Sequence, residues 1–265
     1  MAVRFSRGQP TMTPTSIRRC APQWATAACL LLCALPAIAG RPLTIDDAVP
    51  VEPGAYEIEL GLQWSNAPGE RHRDLPVGLT YGLTSGLEIG AGWSLHLRDR
   101  IAGNADLRVS GQQDFSLGFK WMPVRTVAGF RLALAGAVKF GTASRPEGLG
   151  SGDRDVDLTV IATQEWKRLA IDVNLRRTWI GRRFDPTLAD SVHYGAALRY
   201  PSTDTLTWVG EVFADDALGS RALWQANAGL QYALRNNLAL DAALGRRLTS
   251  SGLDWVVNFG FTASF

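Results

Sequence analysis

Cysteine is almost missing from this chain. The three present, Cys20, Cys29 and Cys33, all precede residue 40. Beyond that point no disulfide, thiolate nucleophile or cysteine-ligated metal can form. Long apolar runs are as scarce. Residues 25–39 make the only one, and nothing later approaches the ~20 apolar residues of a membrane helix. An excess of one charge is lacking too. Four of the 27 basic residues and none of the 25 acidic ones lie before Gly40, so the rest of the chain carries −2. That balance offers nothing to nucleic acid. Histidine is rare, and His72, His96 and His193 are too far apart to read as a ligand set. No cofactor and no metal are therefore expected.

The single apolar run has a clear meaning. Arg18 and Arg19 precede it, and Ala37-Ile38-Ala39 ends it with small residues where a signal peptidase reads. Residues 1–39 are predicted to be a secretory signal cleaved after Ala39, with Met12 as an alternative start. An exported chain without an apolar helix can still reside in a membrane if it forms a barrel. The composition, 46% hydrophobic and 20% charged, suits a barrel because half of its strand residues face a polar interior.

The chain's last stretch carries the pattern most plainly. Trp255, Val257, Phe259, Phe261, Ala263 and Phe265 alternate with Val256, Asn258, Gly260, Thr262 and Ser264. Strand side chains alternate with a period of two, so one face is aromatic and the other polar or small. At the edge of a soluble sheet such a strand invites aggregation; in a closed barrel its face meets lipid and its edge is paired. The same alternation recurs from Tyr56, Ile58, Leu60, Leu62 and Trp64 onward and gives about twelve strands. The expected fold is all-β, a transmembrane antiparallel up-and-down barrel over residues 54–265. Links after even-numbered strands are short, as in Lys167-Arg168, with the eight residues from Met122 to Gly129 an exception. Links after odd-numbered strands are longer, as from Thr142 to Arg154. Short periplasmic turns and longer extracellular loops alternate in this way. Tyr81, Trp121, Trp166, Tyr200, Tyr232 and Phe265 end the even-numbered strands, and Trp64, Trp93, Trp179, Trp224 and Trp255 mark the opposite ends. Two aromatic girdles at headgroup height account for both sets. Pro76 cannot donate a ladder hydrogen bond, so a bulge or break is expected there.

The ending is similar to the terminal assembly signal of bacterial outer-membrane barrels, matched by Asn258, Gly260, Ala263 and Phe265. Earlier, Leu43 to Asp47 (Leu-Thr-Ile-Asp-Asp), then Gly54, Glu57 and Glu59, and the run Gly148-Leu149-Gly150-Ser151-Gly152 resemble the outer-membrane family named for the meta-pathway of phenol degradation. That resemblance implies an outer-membrane transporter of small molecules, aromatic or hydrophobic ones among them. Residues 40–53, with Pro42, Pro50 and Pro53 against regular structure, are expected to be a periplasmic lead-in. The expected surroundings are outer-membrane lipid and lipopolysaccharide, the barrel-assembly machinery and the solutes themselves.

The inward face is expected to carry the function. Glycine and alanine keep it thin, and Lys120, Arg131, Lys139, Asp155, Asp157, Asp172, Arg176, His193, Arg199 and Glu211 project from it as pore-lining residues. Pairing is expected between Lys139 and Asp155 or Asp157, between Asp172 and Arg199, and between His193 and Glu211. Charged rings of this kind bias what passes a pore. Two other readings fit the same residues. One is a non-conducting structural or surface-binding barrel, plugged by ion pairs and loops. The other is a lipid hydrolase using Ser191 and His193 with Glu211 as the orienting group, which would also need an oxyanion hole. The main reading assigns no catalytic residue.

Cleavage after Ala39 is a direct test of this layout. The exported protein is expected to begin at Gly40 and to contain no cysteine, as intact-mass spectrometry would show. A chain that retains Cys33, or a lipidated cysteine, contradicts it.

Overall fold

The computed structural model describes residues 40–67, 69–101 and 109–265. The expected signal segment and part of the loop after the third strand lie outside them. The strands are β1 (Tyr56–Ala67), β2 (Glu70–Thr84), β3 (Leu87–Ile101), β4 (Gly111–Gln112), β5 (Phe115–Val127), β6 (Phe130–Phe140), β7 (Asp155–Trp166), β8 (Leu169–Trp179), β9 (Ser191–Pro201), β10 (Leu206–Ala217), β11 (Leu223–Arg235), β12 (Leu238–Arg247) and β13 (Trp255–Ser264). Each long strand pairs antiparallel with the next, and β13 returns to β1, so twelve of them close a barrel. The two-residue β4 is the extra one. It pairs with Leu95 and His96 of β3 and extends the line of β5 outward across Gln113 and Asp114.

Closure runs to the final residue. Tyr56 and Phe265 exchange both backbone hydrogen bonds, at 3.0 and 2.9 Å. In lipid each unpaired backbone group costs several kcal/mol, so an open seam at this height would be expensive. The burial pattern is that of a globular protein turned inside out. Trp121, Trp166, Tyr200, Trp208, Phe259 and Phe265 are exposed outside, while Glu88, Thr163 and Asp172 are almost fully buried within. Among the described residues no helix is long and apolar enough to cross a membrane; the strands do the crossing.

Several connections differ from those read off the sequence. The long link after Trp121 shrinks to a two-residue turn, because β5 continues to Val127 through irregularities between Trp121, Val124 and Val127. Ala128 and Gly129 then turn with φ of 51° and 80°, the positive values that tight hairpins favour. The link after the first strand, expected among the longer ones, is likewise short, since β1 and β2 pair out to Ala67 and Glu70. At Pro76 the β1–β2 ladder omits the pairs that Gly61 and Leu62 would make, and β2 also slips against β3 at Arg73 and Asp74.

The largest departure concerns residues 40–53. They do not trail into the periplasm; the segment runs inside the barrel, where Leu43, Ile45 and Ala48 are buried. Leu43 and Ile45 pack against Ala197, Val209 and Phe213, and Ala48 against Ala133 and Ile161. Phe213 is an aromatic on the inner wall, and its partner in this contact is the segment itself.

Phe265, 69% exposed on the lipid side, provides a test of the closing strand. Phe265→Asp places a charge where lipid is the solvent, at a cost of about 2–4 kcal/mol at the midplane and less toward the interface. The variant is expected to lose heat-modifiable migration on electrophoresis and to leave the outer membrane. Normal folding would show that the last residue is dispensable for closure.

Candidate functional site

The lumen is thin-walled because much of its inner face is glycine or alanine. That leaves space for the lead-in, and the wall's polar side chains hold it by its backbone. Arg41 N–H donates to Glu59 Oε1 at 3.1 Å. Thr44 and Ile45 N–H both donate to Glu211 Oε2, each at 2.8 Å, while Asn227 donates to Glu211 Oε1 at 2.5 Å. Asp46 and Asn174 form a reciprocal pair, Asp46 N–H to Asn174 Oδ1 at 2.9 Å and Asn174 Nδ2 back to Asp46 O at 2.8 Å. Ala48 N–H donates to Thr163 Oγ1 at 2.9 Å and Val51 N–H to Glu88 Oε2 at 2.6 Å. With the local bonds of residues 40, 43, 47 and 49, every backbone N–H from 40 to 51 has a partner. Irregular backbone at this depth needs that degree of satisfaction.

Charges fix the two ends of the segment. Arg41 makes a two-pronged bond to Asp241, both contacts at 3.1 Å, and also donates to Phe259 O at 2.9 Å. Its guanidinium lies flat on Gly61 and Gly260, which face each other across the β1–β13 seam. A Cβ at either glycine would come within 2.0–2.4 Å of Arg41 atoms, so only glycine leaves the slot. Deeper in, Lys120 lies 3.1 Å from Asp46 and 3.4 Å from Glu88 and donates to Asp47 O. Burial pushes the Asp46 carboxyl up to about 7; Lys120 opposes the rise, and Asp47 and Glu88 add to it. Arg199 joins Asp172 at 2.7 Å to Asp47 at 3.4 Å, and Asp172 also accepts from Thr163.

The residues singled out from sequence share the inward face, but their partners differ in part. Lys139 meets Asp155 at 2.9 Å, directly opposite in register, and also Asp114 at 2.8 Å and Ser151. Asp157 does not join it; it accepts from the Thr178 hydroxyl. Asp172 and Arg199 pair as expected. Arg131 pairs with Glu165 at 2.7 Å. His193 does not meet Glu211. The β9–β10 register sets Asp215 opposite His193 and Ala197 opposite Glu211, so His193 Nδ1 bonds Asp215 at 2.8 Å. With both Glu211 oxygens occupied, Glu211 does not orient His193, and the hydrolase arrangement is not assembled. Asn174, Asn227 and Thr163 were not picked out from sequence, and Asp46 stood there only within the stretch from Leu43 to Asp47, because their roles depend on a segment whose path has no periodic signature.

Beside the segment lies a cavity of about 40 Å³, bounded by Thr44 and Asp46. Gly90, Gly92, Gly118, Ala135 and Ala137 form one wall, and Asp157, Thr159, Asn174, Arg176 and His193 form another.

A closed antiparallel barrel, apolar outside and polar within, defines the class: this is an outer-membrane β-barrel. The chain belongs to the family described as "Putative MetA-pathway of phenol degradation", whose model matches residues 80–265. The lead-in and β1 lie before the matched region. Among solved structures, the COG4313 outer membrane channel from Pseudomonas putida F1 is similar at 18% identity and a TM-score of 0.66, covering 83% of this chain and 98% of that one. The KdgM porin aligns at 9% identity and 0.57, covering 79% and 99%. The CymD monoaromatic hydrocarbon channel aligns at 11% identity and 0.50, covering 81% and 89%. At these identities the likeness establishes the fold. No curated protein matches the sequence.

Glu211→Ala removes the acceptor for two N–H groups of the segment, each bond to a charged group being worth about 1.5–3 kcal/mol. The segment is expected to loosen there, and single-channel conductance in planar bilayers to rise several-fold over wild type. Unchanged conductance would show that Glu211 does not hold the obstruction.

Proposed function

We propose that this protein is a passive outer-membrane channel for small molecules, aromatic or otherwise hydrophobic ones among them. The observation that supports it is what fills the lumen. Much of the inner wall is glycine or alanine, and a single tethered segment, held by hydrogen bonds and ion pairs, occupies the lumen. Such an obstruction can shift without unfolding the wall, whereas a barrel closed by its own side chains cannot. The family's description refers to phenol degradation, and one neighbour of the same fold is titled a monoaromatic hydrocarbon channel. Both favour aromatic solutes over sugars.

The rest of the proposal concerns surroundings and assembly. Lipopolysaccharide and lipid meet the exposed aromatic bands, and the barrel-assembly machinery reads Asn258, Gly260, Ala263 and Phe265. The ten lumenal residues named from sequence set solute preference together with the segment they enclose. In the non-conducting alternative the lead-in is a permanent plug. Its specific support is the number of bonds that hold that segment.

Uptake into proteoliposomes separates the two. Benzoate is expected to enter faster than glucose, and both faster than into protein-free vesicles. Equal and negligible uptake of both would overturn the channel reading and leave the plugged barrel.

A further inference from the structure

One buried cation in the lumen has no partner. Lys120, Lys139, Arg41 and Arg199 each face at least one carboxylate. Arg176, on β8, is only 8% exposed. No carboxylate lies within ion-pair distance of its guanidinium among the described residues, and its Nε has no hydrogen-bond partner. Across the ladder His193 lies directly opposite, only 4% exposed, with Nε2 also unpartnered. A buried charge without a counter-charge is costly. Both residues line the cavity beside the lead-in.

The cavity's chemistry is two-sided. Opposite Arg176 and His193, the wall is Gly90, Gly92, Gly118, Ala135 and Ala137, on β3, β5 and β6. Ser116, Phe119 and Lys120 of β5 also border the cavity, Lys120 being already paired with Asp46 and Glu88. Its 40 Å³ is space for roughly three waters at ~10–15 Å³ each, which is a carboxylate head, and the cavity is partly open, so the rest of a ligand extends out of it. Asp157 also borders the space, diagonal to Arg176, but it accepts from Thr178 and forms no ion pair with the arginine.

We infer that Arg176 anchors a binding subsite for a small planar organic carboxylate. The guanidinium takes the carboxylate in its planar fork, which matches two oxygens at once. The ring or chain leaves through the open side of the cavity. With Nδ1–H of His193 donating to Asp215, Nε2 is left as an acceptor for a hydroxyl on the ligand. The subsite rests on the channel reading for its place in uptake, whereas its existence does not depend on permeation.

Equilibrium binding of radiolabelled benzoate to the detergent-solubilised barrel tests this without any transport step. Wild type is expected to bind saturably, with one site per barrel, and benzyl alcohol not to compete. Arg176→Gln should weaken binding at least about tenfold, the loss expected for a charge-assisted bond. Asp157→Asn, which removes a nearby repelling charge, should tighten it by about two- to threefold. Heat-modifiable migration verifies that each variant is folded. Absence of saturable benzoate binding, equal affinity in wild type and Arg176→Gln, or competition by benzyl alcohol overturns the subsite. Loss of uptake with binding intact would count against the channel reading alone.

Discussion

Backbone polarity in a medium without water is the constraint on which this structure depends. A peptide group facing lipid must find its hydrogen bond within the protein, and a sheet does so only by closing on itself. The β1–β13 seam is where that condition is met last along the chain, and it is met through to Phe265. The rest follows. With every strand paired on both sides, side chains need only alternate, apolar to lipid and polar to the lumen. Buried glutamates and aspartates on the inside, with tryptophans exposed outside, are the normal outcome in such a solvent.

The same constraint extends into the lumen. Residues 40–53 form no regular ladder, yet their N–H groups from 40 to 51 are all matched, six of them by wall side chains of Asn174, Glu59, Glu88, Thr163 and Glu211, the last accepting two. The wall acts as a mould for an irregular strand, acceptors on one side of the contact and donors on the other. Lys120 completes it by holding two carboxylates, Asp46 and Glu88, that would otherwise repel each other. Among the described residues, Arg176 is the bordering cation that the mould leaves without a counter-charge.

Most of the barrel was legible in the sequence because a period of two is a local property. The strands that begin at Tyr56 and at Trp255 coincide with the runs read from alternation. The link after Trp121 misled because Pro123 and the irregular pairing around Val124 hide a strand that continues to Val127. Salt-bridge partners were legible where they flank one loop at the facing ends of two strands. Lys139 and Asp155 sit opposite each other, whereas His193 and Glu211 fall four positions out of step. The lead-in's path was not legible. Its three prolines correctly argued against regular structure, but nothing periodic showed that the segment turns inward. The needed clue was the surplus of glycine and alanine on the inner face, more than twelve strands require if nothing else occupies the lumen.

The way the lead-in is held decides which changes it can tolerate over generations. The wall recognises it through N–H groups, which every amino acid except proline carries. Pro42 and Pro50 occupy the two places within residues 40–51 that have no N–H to offer, and Pro53 lies past the last lumenal bond. Arg41, Asp46 and Asp47 are tied by charge and Leu43, Ile45 and Ala48 by packing, so only the remaining side chains along the segment are free to change, and a new proline among them is not tolerated. Its length is the stricter quantity. Gaining or losing one residue between Arg41 and Val51 would move donors past their acceptors along the wall.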